Sequence, residues 1–220
     1  MKWRRDSRGL LGPLLACMAV AAMLSVGDRA EALQTELTSP ETSTFGKLAG
    51  RLLVAAPQMP DPRFAGTVIF LVRHDNTGAM GLIINRPVAV EPVSRLLERL
   101  FGKDRSAGGG RTVRIHYGGP VQPSQGIFLH SSDYAGNGTV AVTDQVSLTY
   151  NHDILRALAR GAGPTKGFLA MGYAGWGPGQ LEDELRRKDW VTVSSDNRIV
   201  FDDDMESKWQ RALDKLGVDL

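Results

Sequence analysis

The stretch Thr67-Val68-Ile69-Phe70-Leu71-Val72-Arg73-His74-Asp75-Asn76-Thr77-Gly78-Ala79-Met80-Gly81-Leu82-Ile83-Ile84-Asn85 decides the architecture. Its first six residues are an apolar run rich in branched side chains. Residues 74–78 are polar and end in glycine, and residues 79–85 are apolar again, which reads as two strands joined by a tight turn. A further short run, Leu52-Leu53-Val54-Ala55-Ala56, stands upstream across a segment punctuated by Pro57, Pro60, Asp61 and Pro62. Strands so close in sequence pair antiparallel, because a parallel partner needs a crossover of a dozen or more residues.

Downstream, residues 92–101 place Val93, Leu96, Leu97, Leu100 and Phe101 at helical spacing, with Gly102 as a stop. Gly108-Gly109-Gly110 marks a flexible loop, and residues 114–117 and 126–130 read as strands around the forced turn Gly118-Gly119-Pro120. Residues 140–148 supply one or two more strands. Asn151 or Asp153 caps a helix running to 160 and ended by Gly161. Residues 166–173 read as a strand and 180–188 as a helix. In that helix Glu182, Asp183 and Glu184 begin the sequence, Arg186, Arg187 and Lys188 end it, and each acid meets a base four residues on. Residues 190–193 and 198–201 suggest a hairpin around Ser195-Asp196-Asn197. A final helix over 203–216 carries Met205, Trp209, Ala212, Leu213 and Leu216 on one stripe, and Gly217 stops it.

With 220 residues, 42% hydrophobic and 23% charged, the chain is long enough to bury a substantial core. Residues 1–32 read as a signal-like segment. Lys2, Arg4, Arg5 and Arg8 make a positive start, residues 9–26 are an apolar run, and Ala30-Glu31-Ala32 is a small-x-small cleavage pattern. Residues 33–45 read as a linker and 46–220 as the folded domain. The alternatives for the N-terminus are an uncleaved anchor, which is then the one expected membrane contact, and a later start at Met18 or Met23 that removes the signal. The expectation is an exported or periplasmic protein whose native N-terminal sequence starts at Leu33. The alternative is a cytoplasmic protein that starts at Met1, Met18 or Met23. The only cysteine, Cys17, lies in the signal-like segment, so residues 33–220 have no disulfide, thiolate metal site or cysteine nucleophile. That segment also holds five of the 26 basic and three of the 24 acidic residues, which leaves 21 of each and a formally neutral remainder. Without a dense run of Lys and Arg to neutralise phosphates, direct nucleic-acid binding is not expected.

Candidate chemistry is sparse. His74, His116, His130 and His152 stand in no chelating spacing, so neither a metal nor a cofactor is expected. His130-Ser131-Ser132-Asp133 holds the residue types of a serine triad without the nucleophile elbow that presents such a serine. The unusual stretch is Gly172-Tyr173-Ala174-Gly175-Trp176-Gly177-Pro178-Gly179-Gln180. As a loop between a strand and an acidic helix, it can cradle a ligand with backbone donors, an aromatic face and the polar anchors Gln180 or Glu182. Read structurally, it is a tight turn closed by a tryptophan packed on the core.

Four segments together resemble the YqgE/AlgH family: Gly50-Arg51-Leu52-Leu53-Val54-Ala55-Ala56-Pro57-Gln58-Met59-Pro60-Asp61-Pro62-Arg63-Phe64, Gly78-Ala79-Met80-Gly81-Leu82-Ile83-Ile84-Asn85-Arg86-Pro87, Gly118-Gly119-Pro120-Val121, and Gly172-Tyr173-Ala174-Gly175-Trp176-Gly177-Pro178-Gly179-Gln180-Leu181-Glu182. The resemblance runs in order from about residue 46 to the C-terminus. It implies a single α+β domain, a mixed, largely antiparallel sheet with helices packed against it. It also implies a regulator, one member being linked to alginate production, and a cytosolic setting for most members. It brings no catalytic residues. Residues 1–44 are additional to the family pattern, and an exported protein cannot regulate a promoter by touching it.

Two functions follow as expectations. The first is a non-enzymatic regulatory or interaction protein with a protein partner. The second is a small-molecule-binding protein or hydrolase with a cleft built from Asn85, Arg86, His130, Trp176, Gln180 and Glu182.

Overall fold

Strands buried on both faces read as unbroken apolar runs, and this is how the first segments fold. The computed structural model describes residues 48–102 and 110–217. The signal-like segment, the linker, and Gly108 and Gly109 of the triple glycine lie outside the described residues. Among those described, ten strands form one mixed, largely antiparallel sheet. They are β1 (Leu52–Ala55), β2 (Val68–Asp75), β3 (Gly78–Ile83), β4 (Pro87–Pro92), β5 (Thr112–Tyr117), β6 (Val121–Ser131), β7 (Thr139–Ala141), β8 (Val146–Thr149), β9 (Gly167–Trp176) and β10 (Trp190–Val193). Five helices accompany them: α1 (Val93–Phe101), α2 (Asp153–Ala159), α3 (Gln180–Arg186), α4 (Asn197–Phe201) and α5 (Lys208–Asp214).

The strand order is β10-β1-β2-β3-β9-β6-β8-β7, and β4 and β5 attach to β9 through a parallel β5–β9 pairing. β9 therefore serves two groups of strands. Its residues Leu169, Ala170 and Met171 pair with β5, residues 174–176 pair with β3, and most of its other edge pairs with β6. The crossing is tight, because Gly172 has φ 71 and a Cβ on Gly119 would stand 2.1 Å from the Tyr173 carbonyl carbon. The Gly118-Gly119-Pro120 turn is thus held to glycine by the backbone pressed against it as well as by its own angles.

Alternation along β1 and β2 divides the interior. Leu52, Val54, Val68 and Phe70 face a layer closed by Ile199, Val200 and Phe201 of α4 and Ala212 of α5. Leu53, Ala55, Ile69 and Leu71 face a second layer with Trp176, Trp190 and Leu181 of α3. A third cluster packs Val93, Leu96 and Leu97 of α1 and Ile154, Leu155 and Leu158 of α2 over Val113, Ile115 and Phe128.

Four local expectations are corrected. The hairpin expected at 190–201 is β10 followed by α4. The Asp196 side chain caps this helix by accepting from Arg198 N–H at 2.8 Å, and three consecutive apolar residues in one helical turn had mimicked a strand. The last helix begins at Lys208, because Asp202 and Asp204 are engaged with Lys208, Arg211 and Ser207 and hold the preceding segment in a turn. β4 was not expected; it is an edge strand bounded by two prolines, where a missing N–H is tolerated. The strand expected to end at 173 runs on to Trp176, so residues 173–176 of the glycine-rich stretch are β9 itself and only Gly177-Pro178-Gly179 forms the connection to α3. Gly175 pairs with Met80, and a Cβ on Gly172 would stand 2.5 Å from the Gly119 carbonyl oxygen, so backbone packed against β9 accounts for Gly172.

Candidate functional site

A pocket of about 330 Å³ opens between the proline-rich connection from β1 to β2 and the face of α3. Met59, Pro60, Asp61, Arg63 and Phe64 form one wall; Gln180, Glu184 and Arg187 form the other, and Trp176 and Trp190 lie between. The first wall is fixed by local and distant bonds. Phe64 N–H donates to the Asp61 carbonyl, the Thr67 hydroxyl donates to the Phe64 carbonyl at 2.7 Å, and Ala56 N–H reaches the Asp189 carbonyl. Asn85 donates to the Gly66 carbonyl and accepts from Val68 N–H, both at 2.9 Å. Arg86 donates to the carbonyls of Arg63 at 2.6 Å and Ala65 at 3.1 Å. A guanidinium presents several donors in a fixed fork, so one side chain can tether two carbonyls of a loop.

The second wall starts where Gln180 Oε1 accepts from Gly177 N–H at 3.1 Å, beside Gly179 in the left-handed region at φ 74. Four residues on, Glu184 takes three hydrogen bonds. Its Oε2 accepts from the indole N–H of Trp176 and of Trp190, each at 2.8 Å, and its Oε1 accepts from the Gln180 amide at 2.9 Å. The indoles meet edge to face with centroids 6.0 Å apart, and Phe64 stands edge-on to Trp190 at 5.6 Å. At the rim, Arg63 forks onto Asp61, and this hydrogen bonding holds the Asp61 carboxyl below its ordinary pKa. Arg187 likewise grips Asp189, with its Nε at 3.0 Å.

Of the six residues expected to line a cleft, the structure brings Trp176 and Gln180 into this pocket. Asn85 and Arg86 act one step back, as tethers of its first wall. His130 and Glu182 do not reach it. Glu182 Oε1 accepts at 2.8 Å from His74 Nε2, while His74 Nδ1 accepts from Leu48 N–H, which fixes the tautomer of this buried ring. The solvent-side pairing expected for the α3 acids is corrected accordingly. Glu182 and Glu184 face inward to His74 and the two indoles, and Asp183 meets Arg186, three residues on.

His130 is fully buried, with Nδ1 against the Ser131 carbonyl at 2.8 Å and Nε2 against the Thr149 hydroxyl at 2.9 Å; burial depresses its pKa. The Ser131 hydroxyl donates to Asp133 at 2.6 Å, so the triad-like residue types do not assemble into a relay. Among the described residues no group of three or more His, Cys, Asp or Glu is placed to hold a metal ion. Sequence reasoning missed Phe64, Glu184 and Trp190 as site residues. The available signal was the i, i+4 spacing of Gln180 and Glu184, which puts both on one face of α3.

The double service of β9 and the loop-on-helix pocket define an α+β protein with a small aromatic-walled recess. The chain belongs to the AlgH-like family (DUF179), whose model matches residues 52–220. A UPF0301 protein of Afipia carboxidovorans is 47% identical over 194 residues, covering 84% of this chain and 90% of that protein. A UPF0301 protein of Rhodospirillum rubrum is 43% identical over 180 residues, covering 79% and 90%. The solution structure of the AlgH protein from Pseudomonas aeruginosa matches with a TM-score of 0.66 at 37% identity, over 82% of this chain and 92% of that one. The crystal structure of protein DIP2367 from Corynebacterium diphtheriae, at 18% identity and TM-score 0.57 over 74% and 84%, shares the fold.

Proposed function

We propose that this chain is a non-catalytic binding protein of regulatory type that receives its ligand in the recess between residues 59–64 and α3. The observation that carries the reading is the commitment of the pocket's polar groups to one another. Glu184 is held by two indoles and Gln180, Asp61 by Arg63, and Asp189 by Arg187. A general base or nucleophile must instead be free to meet a reacting atom at hydrogen-bond distance. Groups locked this way give a rigid, preformed surface, which favours recognition because little ordering is needed when the ligand arrives. The buried His74, His116 and His130 are packed in the interior and do not line the recess.

The test is a backbone-amide NMR screen of the chain against a fragment library, run beside turnover assays on ester, phosphoester and glycoside model substrates. Shifts are expected to cluster at residues 59–64 and 175–190, with turnover no faster than buffer. Turnover that disappears in Glu184→Gln would favour the hydrolase alternative, and hits confined to other surfaces would remove the pocket from the proposal.

A further inference from the structure

We infer that the recess takes a small organic cation, a primary amine or guanidinium on a short apolar stem. The inference rests on the recess being the recognition site and goes on to name the ligand's chemistry. Five ionisable side chains line it: Asp61, Arg63, Glu184, Arg187 and Asp189. Four cancel in pairs at the rim. Arg63 Nη2 lies 2.7 Å from Asp61, and Arg187 Nη2 lies 2.9 Å from Asp189.

Glu184 remains. All three of its hydrogen-bond donors are neutral, and no cation pairs with it among the described residues. The lining therefore carries one uncompensated negative charge, fixed on the recess wall by the indole N–H groups of Trp176 and Trp190 and the Gln180 amide. A carboxylate in a partly dehydrated recess attracts a cation through its own charge, which acts there at reduced dielectric. An anion meets three carboxylates, and its only cations are two arginines already engaged. The apolar contribution of Met59, Pro60, Pro120 and Val121 suits a methylene stem. The volume of about 330 Å³ sits at the small end of the range for ligand pockets, about 300–1,000 Å³.

The experiment is calorimetric titration of the full chain at low ionic strength, with tryptophan fluorescence as a second readout. The probes are agmatine, n-butylammonium, butanoate, n-butanol and the blocked peptide acetyl-Gly-Arg-Gly-amide. Agmatine and n-butylammonium are expected to bind at least about tenfold more tightly than butanoate or n-butanol, a difference of about 1.4 kcal/mol. Glu184→Gln, which keeps an acceptor for the indoles and loses the charge, is expected to remove that preference. Arg187→Gln, at the exposed rim, removes a competing cation and is expected to tighten agmatine several-fold, so the proposal stays testable if Glu184→Gln does not fold. Peptide binding equal to or tighter than agmatine assigns the cation to a partner's side chain, and agmatine binding alone assigns it to a free amine; both support the inference. Butanoate or butanol binding as tightly as the amines, or agmatine binding Glu184→Gln unchanged, overturns the cation while the recess stays the site. If no probe perturbs the tryptophans or releases heat, the cation and the site fall together.

Discussion

Replacing Asp202 by alanine is expected to lower unfolding free energy by about 3–5 kcal/mol, the usual cost of stranding a buried charge. Lys208 is fully buried in α5, and its ammonium sits 3.1 Å from Asp202 Oδ1 and donates to the Asp202 carbonyl at 3.2 Å. The same carboxylate accepts from Arg211 at 2.6 Å. Burial pushes the Lys208 ammonium down from its ordinary pKa. Burial also works against the Asp202 carboxylate, but the hydrogen bond from Arg211 and the adjacent Lys208 ammonium overcome it and hold Asp202 below its ordinary value. The desolvation cost thus falls on the lysine and the pairing benefit on the aspartate. Lys208→Met keeps the stem and removes the charge that needs a partner, so it is expected to cost less than about 1 kcal/mol, and the double variant should recover most of the Asp202→Ala loss. Urea midpoints of the three variants check this, and equal losses for the two single changes would sink the argument.

Acidification should be nearly as costly. His116 is fully buried, stacked on Phe168 with centroids 4.2 Å apart, and neither ring nitrogen has a hydrogen-bond partner of good geometry. Burial above all, and then the charges of Arg114 and Lys208, push its pKa down to about 3; a backbone contact at Ile84 opposes this. The unfolded chain takes up this proton near pH 6.5 and the folded chain refuses it, so His116's contribution is complete above pH 6.5 and lost as pH falls toward about 3. The full loss is about 5 kcal/mol. His130 shifts in the same direction. The depressed carboxyls of Asp133 and Asp202 add their losses only near and below their ordinary pKa of about 4, so the fall between about pH 6.5 and 4.5 belongs to the histidines. His116→Phe is expected to flatten most of that fall, and to gain about 1–3 kcal/mol at neutral pH by removing unpaired buried nitrogens. Denaturant curves at pH 7 and 5 are the measurement. An unchanged pH slope would assign it elsewhere.

The sheet was legible where burial is two-sided. The runs at 52–56, 67–72 and 79–85 are apolar on successive residues because β1, β2 and β3 have a core on each face, and their short connections dictated antiparallel pairing. Legibility failed where a short apolar triplet fits either state. Ile199-Val200-Phe201 became a helix because Asp196 capped it, a preference that periodicity over three residues cannot detect. At the site, Trp176 and Gln180 were visible as an aromatic and a helix start in a glycine-rich setting. Phe64 and Trp190 were not, because they meet through the return of β10 alongside β1, a pairing between distant segments. Asn85 and Arg86, expected to line the cleft, instead tether the loop that forms its wall, because a sequence cannot show whether such groups face a ligand or the loop that surrounds it.

The placement of β9 also governs how the chain can be made. On a ribosome, β3, β5 and β6 emerge well before residues 167–176, and each lacks its central neighbour until that segment arrives. β1 waits longer still, since its outer edge is completed only by residues 190–193. Contacts of such long sequence separation make assembly slow and late. A nascent chain shorter than about residue 193 therefore carries open strand edges, the state most exposed to chaperones, proteases and self-association.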